Sequence, residues 1–269
     1  DTITLTTGSD NVDGGAGNDT ITITGLSAGD TIAGGDGTDT LTITNASSAT
    51  LSPTFTGIET LTVNTSTGFT LDLTDSTDKT SLKTYTLNST DDSGTDAISL
   101  TDIASGSTVN VSDDSSWDGA STSDTDDTGD FDGTVGIDTV NGGILTLNIS
   151  ANEDAVTHVA TALGVTTIGD AAEVTINSKN ADSNNIVNAI VGGLVLDTAR
   201  TSSLTLVAED SAGIDTGTIT ATGALASLSL SSAAGAASTI GAVVDGTNLE
   251  TLSISSTGTS STATIGALG

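Results

Sequence analysis

A chain of 269 residues is long enough for a full hydrophobic core, yet it sets 35 Asp and Glu against four Lys and Arg, a net charge of −31. Charge well beyond the roughly 2–8 units of an ordinary small domain excludes nucleic-acid phosphates and anionic lipid as partners, and selects divalent cations that would relieve the self-repulsion. One His, no Cys, no Met, one Trp, one Tyr and three Phe leave nucleophilic and zinc chemistry without a visible constellation and a bulky globular centre without fillers; the apolar 35% is mostly Ala, Val, Ile and Leu, which suits a thin, repetitive β architecture.

Residues 1–45 are organised by an Asp followed two places later by an aliphatic residue, at Asp1, Asp10, Asp19, Asp30 and Asp39. Twice the Asp closes a glycine nonamer: Gly14-Gly15-Ala16-Gly17-Asn18-Asp19-Thr20-Ile21-Thr22 and Gly34-Gly35-Asp36-Gly37-Thr38-Asp39-Thr40-Leu41-Thr42. Both match G-G-x-G-x-D-x-U-x in every fixed place. Glycines tolerate φ > 0, so such a turn can curl tightly and bring backbone carbonyls to one spot. A short strand follows, its aliphatic residue pointing into a narrow core because side chains alternate along a strand. Two turn-plus-strand units complete one coil. Every second Asp therefore falls on the same edge, with Asp1, Asp19 and Asp39 on one side and Asp10 and Asp30 on the other. Carboxylates and carbonyls from successive coils can supply the six to eight oxygens of a hard cation. The expected metal residues are Asp1, Asp10, Gly14, Gly15, Gly17, Asp19, Asp30, Gly34, Gly35, Asp36, Gly37 and Asp39, holding several Ca2+ ions. Without cations the stacked carboxylates repel, so this stretch is expected to fold only when calcium is supplied.

These nonamers resemble the repeats-in-toxin (RTX) family. The resemblance implies a parallel β-roll around calcium and a protein exported by bacterial type I secretion, although the motifs cover only about a sixth of the chain. Thr flanks each inward aliphatic, as in Thr20-Ile21-Thr22-Ile23-Thr24. Such rows also occur on ice-binding surfaces, but the β preference of Thr accounts for them without a ligand.

From 46 to 140 the nonamers stop and short strand patterns continue in an acidic, β-rich segment with long loops. Strands are predicted at 59–63, 69–73, 84–87, 97–100 and 108–111. The phrase Gly57-Ile58-Glu59-Thr60-Leu61-Thr62-Val63 returns as Asn248-Leu249-Glu250-Thr251-Leu252-Ser253-Ile254, and it is similar to phrases in RTX-type bacterial surface-layer (S-layer) proteins. Alternating carboxylates between Asp113 and Asp132 read equally as an irregular calcium site or a solvated loop. Trp117, the one indole, is expected to anchor that loop.

Residues 141–269 repeat coarsely. From Leu145 through Val174, Leu204 and Leu228 to Leu252 the steps are 29, 30, 24 and 24, as in a solenoid whose coils each add a strand to one parallel sheet. A short helix is predicted near 151–163, from a capping box at Ser150–Glu153 and an apolar face of Val156, Val159, Ala160 and Leu163. Asn185 to Ile190 is a weaker helical candidate. The lone His158 reads as a surface or core residue.

The sequence thus predicts an all-β chain: an N-terminal RTX parallel β-roll continuing into a parallel β-solenoid, with one short helix. With no H-E-x-x-H or G-x-S-x-G motif, the expected role is structural and not enzymatic: a unit of an extracellular, calcium-dependent surface layer or fibre on the bacterial cell surface. Self-association into a lattice or filament is the implied partnership, with cell-surface polysaccharide as a second partner class and neither nucleic acid nor membrane insertion. The alternatives are a stalk segment of a large secreted RTX adhesin and a polysaccharide-modifying RTX enzyme. A chain that starts at Asp and shows no signal peptide reads as a segment of something longer.

Overall fold

The computed structural model describes residues 2–5, 9–24, 26–27, 29–44, 50–65, 68–74, 76, 80–89, 97–113, 134–151, 162–180, 187–190, 192–196, 200–209, 212–221, 225–233, 237–245, 248–257 and 262–269. Among these residues every regular element is a strand. In chain order they are β1 (Thr2–Leu5), β2 (Asn11–Asp13), β3 (Thr20–Thr24), β4 (Thr31–Ala33), β5 (Thr40–Thr44), β6 (Thr50–Leu51), β7 (Thr54–Thr56), β8 (Thr60–Thr65), β9 (Phe69–Asp72), β10 (Thr84–Ser89), β11 (Ile98–Ile103) and β12 (Ser107–Asp113). There follow β13 (Val135–Ala151), β14 (Ala162–Leu163), β15 (Thr166–Asn180), β16 (Val187–Ile190), β17 (Leu194–Leu196), β18 (Ser203–Ala208), β19 (Gly213–Ala221), β20 (Ser227–Ser232), β21 (Ala237–Asp245), β22 (Thr251–Ser256) and β23 (Thr262–Leu268).

All the pairings are parallel, and each strand pairs with the strand one coil away. This is the signature of a β-solenoid, because parallel neighbours need a full crossover between them. One ladder runs β1–β3–β5–β8–β10–β12–β13–β15–β18–β20–β22. A second runs β6–β9–β11–β13–β15–β17–β19–β21–β23. At the N-terminal end β2, β4 and β7 form a separate three-stranded ladder. The long strands β13 and β15 belong to both major ladders, with register shifts between Asp138 and Ile144 where the chain turns from one face to the next.

The repeat length is read directly from the register. Thr20, Thr40 and Thr60 pair in succession, one coil per 20 residues, then Thr84 and Thr108 at 24-residue steps. The pairs Leu145–Val174, Val174–Leu204, Leu204–Leu228 and Leu228–Leu252 are each in register, so the predicted spacing is the coil itself.

Alternation builds the core. On β3 and β5 two residues per strand face inward, Ile21 and Ile23, then Leu41 and Ile43, where the nonamer pattern predicts one. Leu61 and Val63, Tyr85 and Leu87, Val109 and Val111, and Leu147 and Ile149 continue the same two buried columns. Each fully buried aliphatic contributes about 1.5–3 kcal/mol. A single core cluster extends from Val12 to Val243.

The predicted helix near 151–163 falls mostly on residues 152–161, outside the described residues; its flanks Ala151 and Ala162–Leu163 are strand. The second helical candidate is corrected. Residues Val187–Ile190 form β16, paired with β14 and β19, because coil-to-coil pairing and β-branched Val187 and Ile190 outweigh a short helical pattern. The loop around Trp117, and His158, also lie outside the described residues.

Candidate metal centre

The two glycine turns stack directly on one another. Gly14 N–H donates to the Ala33 carbonyl at 2.9 Å, Gly17 N–H to that of Asp36 at 2.8 Å, and Asp36 N–H to that of Gly15 at 2.8 Å. The fit demands glycine. A Cβ on Gly35, whose φ is +109°, would lie 1.8 Å from the Gly15 carbonyl oxygen, and one on Gly37 would lie 2.0 Å from that of Gly17. On Gly34 it would meet the Gly57 carbonyl at 1.9 Å and Asp39 Oδ2 at 2.5 Å. The nonamer glycines thus let carbonyls and a carboxylate crowd into the seam between coils.

Carboxylates line that seam one per coil. Asp39 Oδ1 accepts the backbone N–H of Asp19 at 2.7 Å, and Glu59 Oε2 accepts that of Asp39 at 2.6 Å. Asp19 and Asp39 are buried, Asp39 completely. Oδ2 of Asp39 is buried with no hydrogen-bond donor. A buried charge left so is costly unless a cation or proton meets it.

The opposite edge differs. Asp30 Oδ1 accepts the N–H of Asp10 at 2.9 Å, as the two-edge pattern predicts, and its Oδ2 accepts the N–H of Ser27 at 2.8 Å. Both oxygens of Asp30 therefore have protein donors, and its visible work is to hold the Ser27–Asp30 turn against the coil before it. Asp10 is half-buried, and Asp36 is exposed at the tip of its turn. Gly14, Gly15 and Gly17 lie in the first turn, Gly34, Gly35 and Gly37 in the second; Asp1 is outside the described residues.

Among the described residues no three His, Cys, Asp or Glu side chains converge on one point. This follows from the register, which supplies one acid per coil on each edge, so a cation in the seam would draw most of its oxygens from backbone carbonyls. Hard cations accept that donor set, and the residues of the Asp39 edge fit one on the strength of the orphaned Oδ2.

Sequence reasoning missed Glu59 as the next rung. The signal was present: Glu59 follows Asp39 by 20 residues, the interval between Asp19 and Asp39, and only the change from Asp to Glu and the loss of the glycines hid it. In the following coil, one register step beyond Glu59, stands Lys83, whose Nζ donates to the Ser105 carbonyl at 2.5 Å, so the acidic column ends there. The sequence reading also missed two amide ladders on the outer surface of the first ladder. Asn88 donates to Asn64 at 2.8 Å, Asn148 to Asn110 at 2.7 Å, and Asn177 to Asn148 at 2.8 Å. The chain matches no protein-family model, no curated protein and no solved structure.

Proposed function

We propose that this chain is a structural unit of an extracellular, calcium-dependent surface layer or fibre on a bacterial cell, of the RTX and surface-layer type it resembles. The observation that carries the reading is the buried, donorless Oδ2 of Asp39 between two stacked glycine turns, in a chain of net charge −31. Asp19, Asp39 and Glu59, with carbonyls of the glycine turns, would hold the cation. Calcium bound there supplies the positive charge that offsets repulsion between successive rungs.

The chain's own residues do the rest. The glycines bring carbonyls to the seam, Asp39 and Glu59 tie each coil to the one before through backbone N–H groups, and the aliphatic columns carry coil-on-coil stacking to β22. A rigid rod with acidic edges is suited to cation-bridged assembly, and catalysis finds no constellation in a chain with one His and no Cys.

The test is light scattering and circular dichroism of the purified chain in calcium, with and without chelator. Chelation is expected to dissociate the assembly and weaken the β-sheet signal; indifference of both would overturn the reading. Electron microscopy in calcium is expected to show arrays or filaments. Isolated rods would favour an adhesin stalk, and activity on uronate polymers an enzyme.

A further inference from the structure

The outer surface of the long ladder is a two-dimensional grid of hydroxyls and amides. One column runs Thr20, Thr40, Thr60, Thr84, Thr108, Thr146, Thr175, Thr205, Ser229, Ser253, each in register with the next. Two residues along each strand, a second runs Thr22, Thr42, Thr62, Thr86, Asn110, Asn148, Asn177, Val207, Ser231, Ser255. Neither column contains a charged residue. A third holds Thr24, Thr44, Asn64, Asn88, Ser112 and Ser150 before it reaches Lys179.

On a chain of net charge −31 this face is exceptional. Among the described residues most acids stand elsewhere, at the glycine seam (Asp19, Asp39, Glu59) and on the second ladder and its bend (Asp72, Asp102, Asp138, Asp170), with Asp113 at the very end of β12. Glu173 and Glu209 stand at the margins of the face, and Glu209 pairs with Lys179 at 3.6 Å. Without a bridging cation, two copies of so acidic a chain approach at close range only where neither presents carboxylates.

We infer that this face is a contact surface for a second copy of the chain, met by the same face. The inference rests on the self-assembly proposed above and names the surface that performs it. Three observations select this occupant. Its two complete columns are uncharged and Lys179 at its edge is paired with Glu209, so like meets like without net repulsion. Its repeat is the strand spacing, about 4.7–4.9 Å, which a second copy shares by construction, so that the rows of one can settle between the rows of the other. Ten strands by five residues span about 48 by 17 Å, so two such faces bury about 1,600 Å², the size of a standard stable interface. The Asn ladders are already hydrogen-bonded along the axis, so these side chains are ordered before contact and lose little entropy on docking. The resulting contact is isologous.

The test is sedimentation velocity of the whole chain in calcium, comparing wild type with two double variants that change the net charge equally. Thr86→Lys with Thr108→Lys places two charges on the face; Thr70→Lys with Thr167→Lys places two on the second ladder. Wild type and the second-ladder variant are expected to associate from the 26.2 kDa chain, and the face variant to lose about a hundredfold or more in affinity. Equal association of both variants overturns the inference and leaves calcium-dependent assembly standing; a wild type that stays monomeric overturns both. Because the chain has no cysteine, single cysteines at Thr42, Thr62 and Thr86 give a second reading that needs no disruptive charge. At least one must cross-link faster than a cysteine at Thr167, and equal rates overturn the inference. Retention of monomeric wild type on ice or on crystalline polysaccharide gives the face to another occupant and likewise overturns it.

Discussion

Asp39 faces two ways: its Oδ1 accepts the backbone N–H of Asp19 one coil earlier at 2.7 Å, while its Oδ2 is buried without a donor. The first contact is structural and survives removal of the charge, whereas the second oxygen is the one that would meet the proposed cation. Asp39→Asn separates them, since an amide oxygen can still accept from Asp19 but offers no negative charge. Calcium affinity at this edge, read by titration calorimetry, is expected to fall by about 10–100-fold or more, at least the loss typical of outer-shell partners. The matching change at Asp30, whose oxygens already have protein donors, is expected to lower affinity much less. Equal losses at both positions would remove the distinction between the two edges.

Two glycines with similar backbone conformations should respond very differently to substitution. Gly15 and Gly35 have φ of +97° and +109°, so alanine is strained at both, at about 1–3 kcal/mol. A Cβ at Gly15 meets nothing within 4 Å, whereas one at Gly35 would stand 1.8 Å from the Gly15 carbonyl oxygen and force the turns apart. Denaturant unfolding in calcium is expected to show Gly35→Ala as the more damaging by at least about 1 kcal/mol, and its calcium affinity as the lower. Equal losses would mean that the turns do not stack as closely as described.

Much of this was legible in the sequence because a solenoid writes its geometry as intervals. The 29-, 30-, 24- and 24-residue steps from Leu145 to Leu252 are the register itself, and the 20-residue interval from Asp19 to Asp39 places both in one seam. Side chains alternate strictly on a strand, so one buried column followed from Ile21, Leu41 and Leu61, while the second, through Ile23 and Ile43, lay beyond the single aliphatic that the nonamer assigns to each strand. What escaped was information that needs three dimensions. Asn64 and Asn88, or Asn148 and Asn177, look like isolated polar residues until pairing brings their amides together. Asn185 to Ile190 has a helical spacing that yields to the neighbouring coils, an influence no local pattern carries. Glu59 escaped for a simpler reason, since its rung keeps the interval and changes the residue.

Tyr85 ties stability to alkaline pH. Burial pushes its phenol well above the ordinary value of 10.0, and the ring lies fully buried between Leu61 and Val109 in the inner column. Above pH 10 the unfolded chain releases this proton while the folded chain keeps it. The unfolded state then binds fewer protons, and stability falls with rising pH, by about 1.4 kcal/mol per unit at full effect. Below pH 10 both states hold the proton and the term vanishes. Tyr85→Phe keeps the ring and abolishes the titration, so wild type is expected to lose about 1 kcal/mol more than the variant between pH 9 and 11, read from denaturant midpoints. Every other residue is common to the two proteins, so the comparison isolates the phenol. Tyr85 is the only tyrosine, and phenolate absorbance reports it directly: in folded wild type it should stay absent well past pH 10 and appear on unfolding. Phenolate that forms in step with a free tyrosine, with no loss of structure, would show that the ring is open to solvent and the coil around it loosely packed.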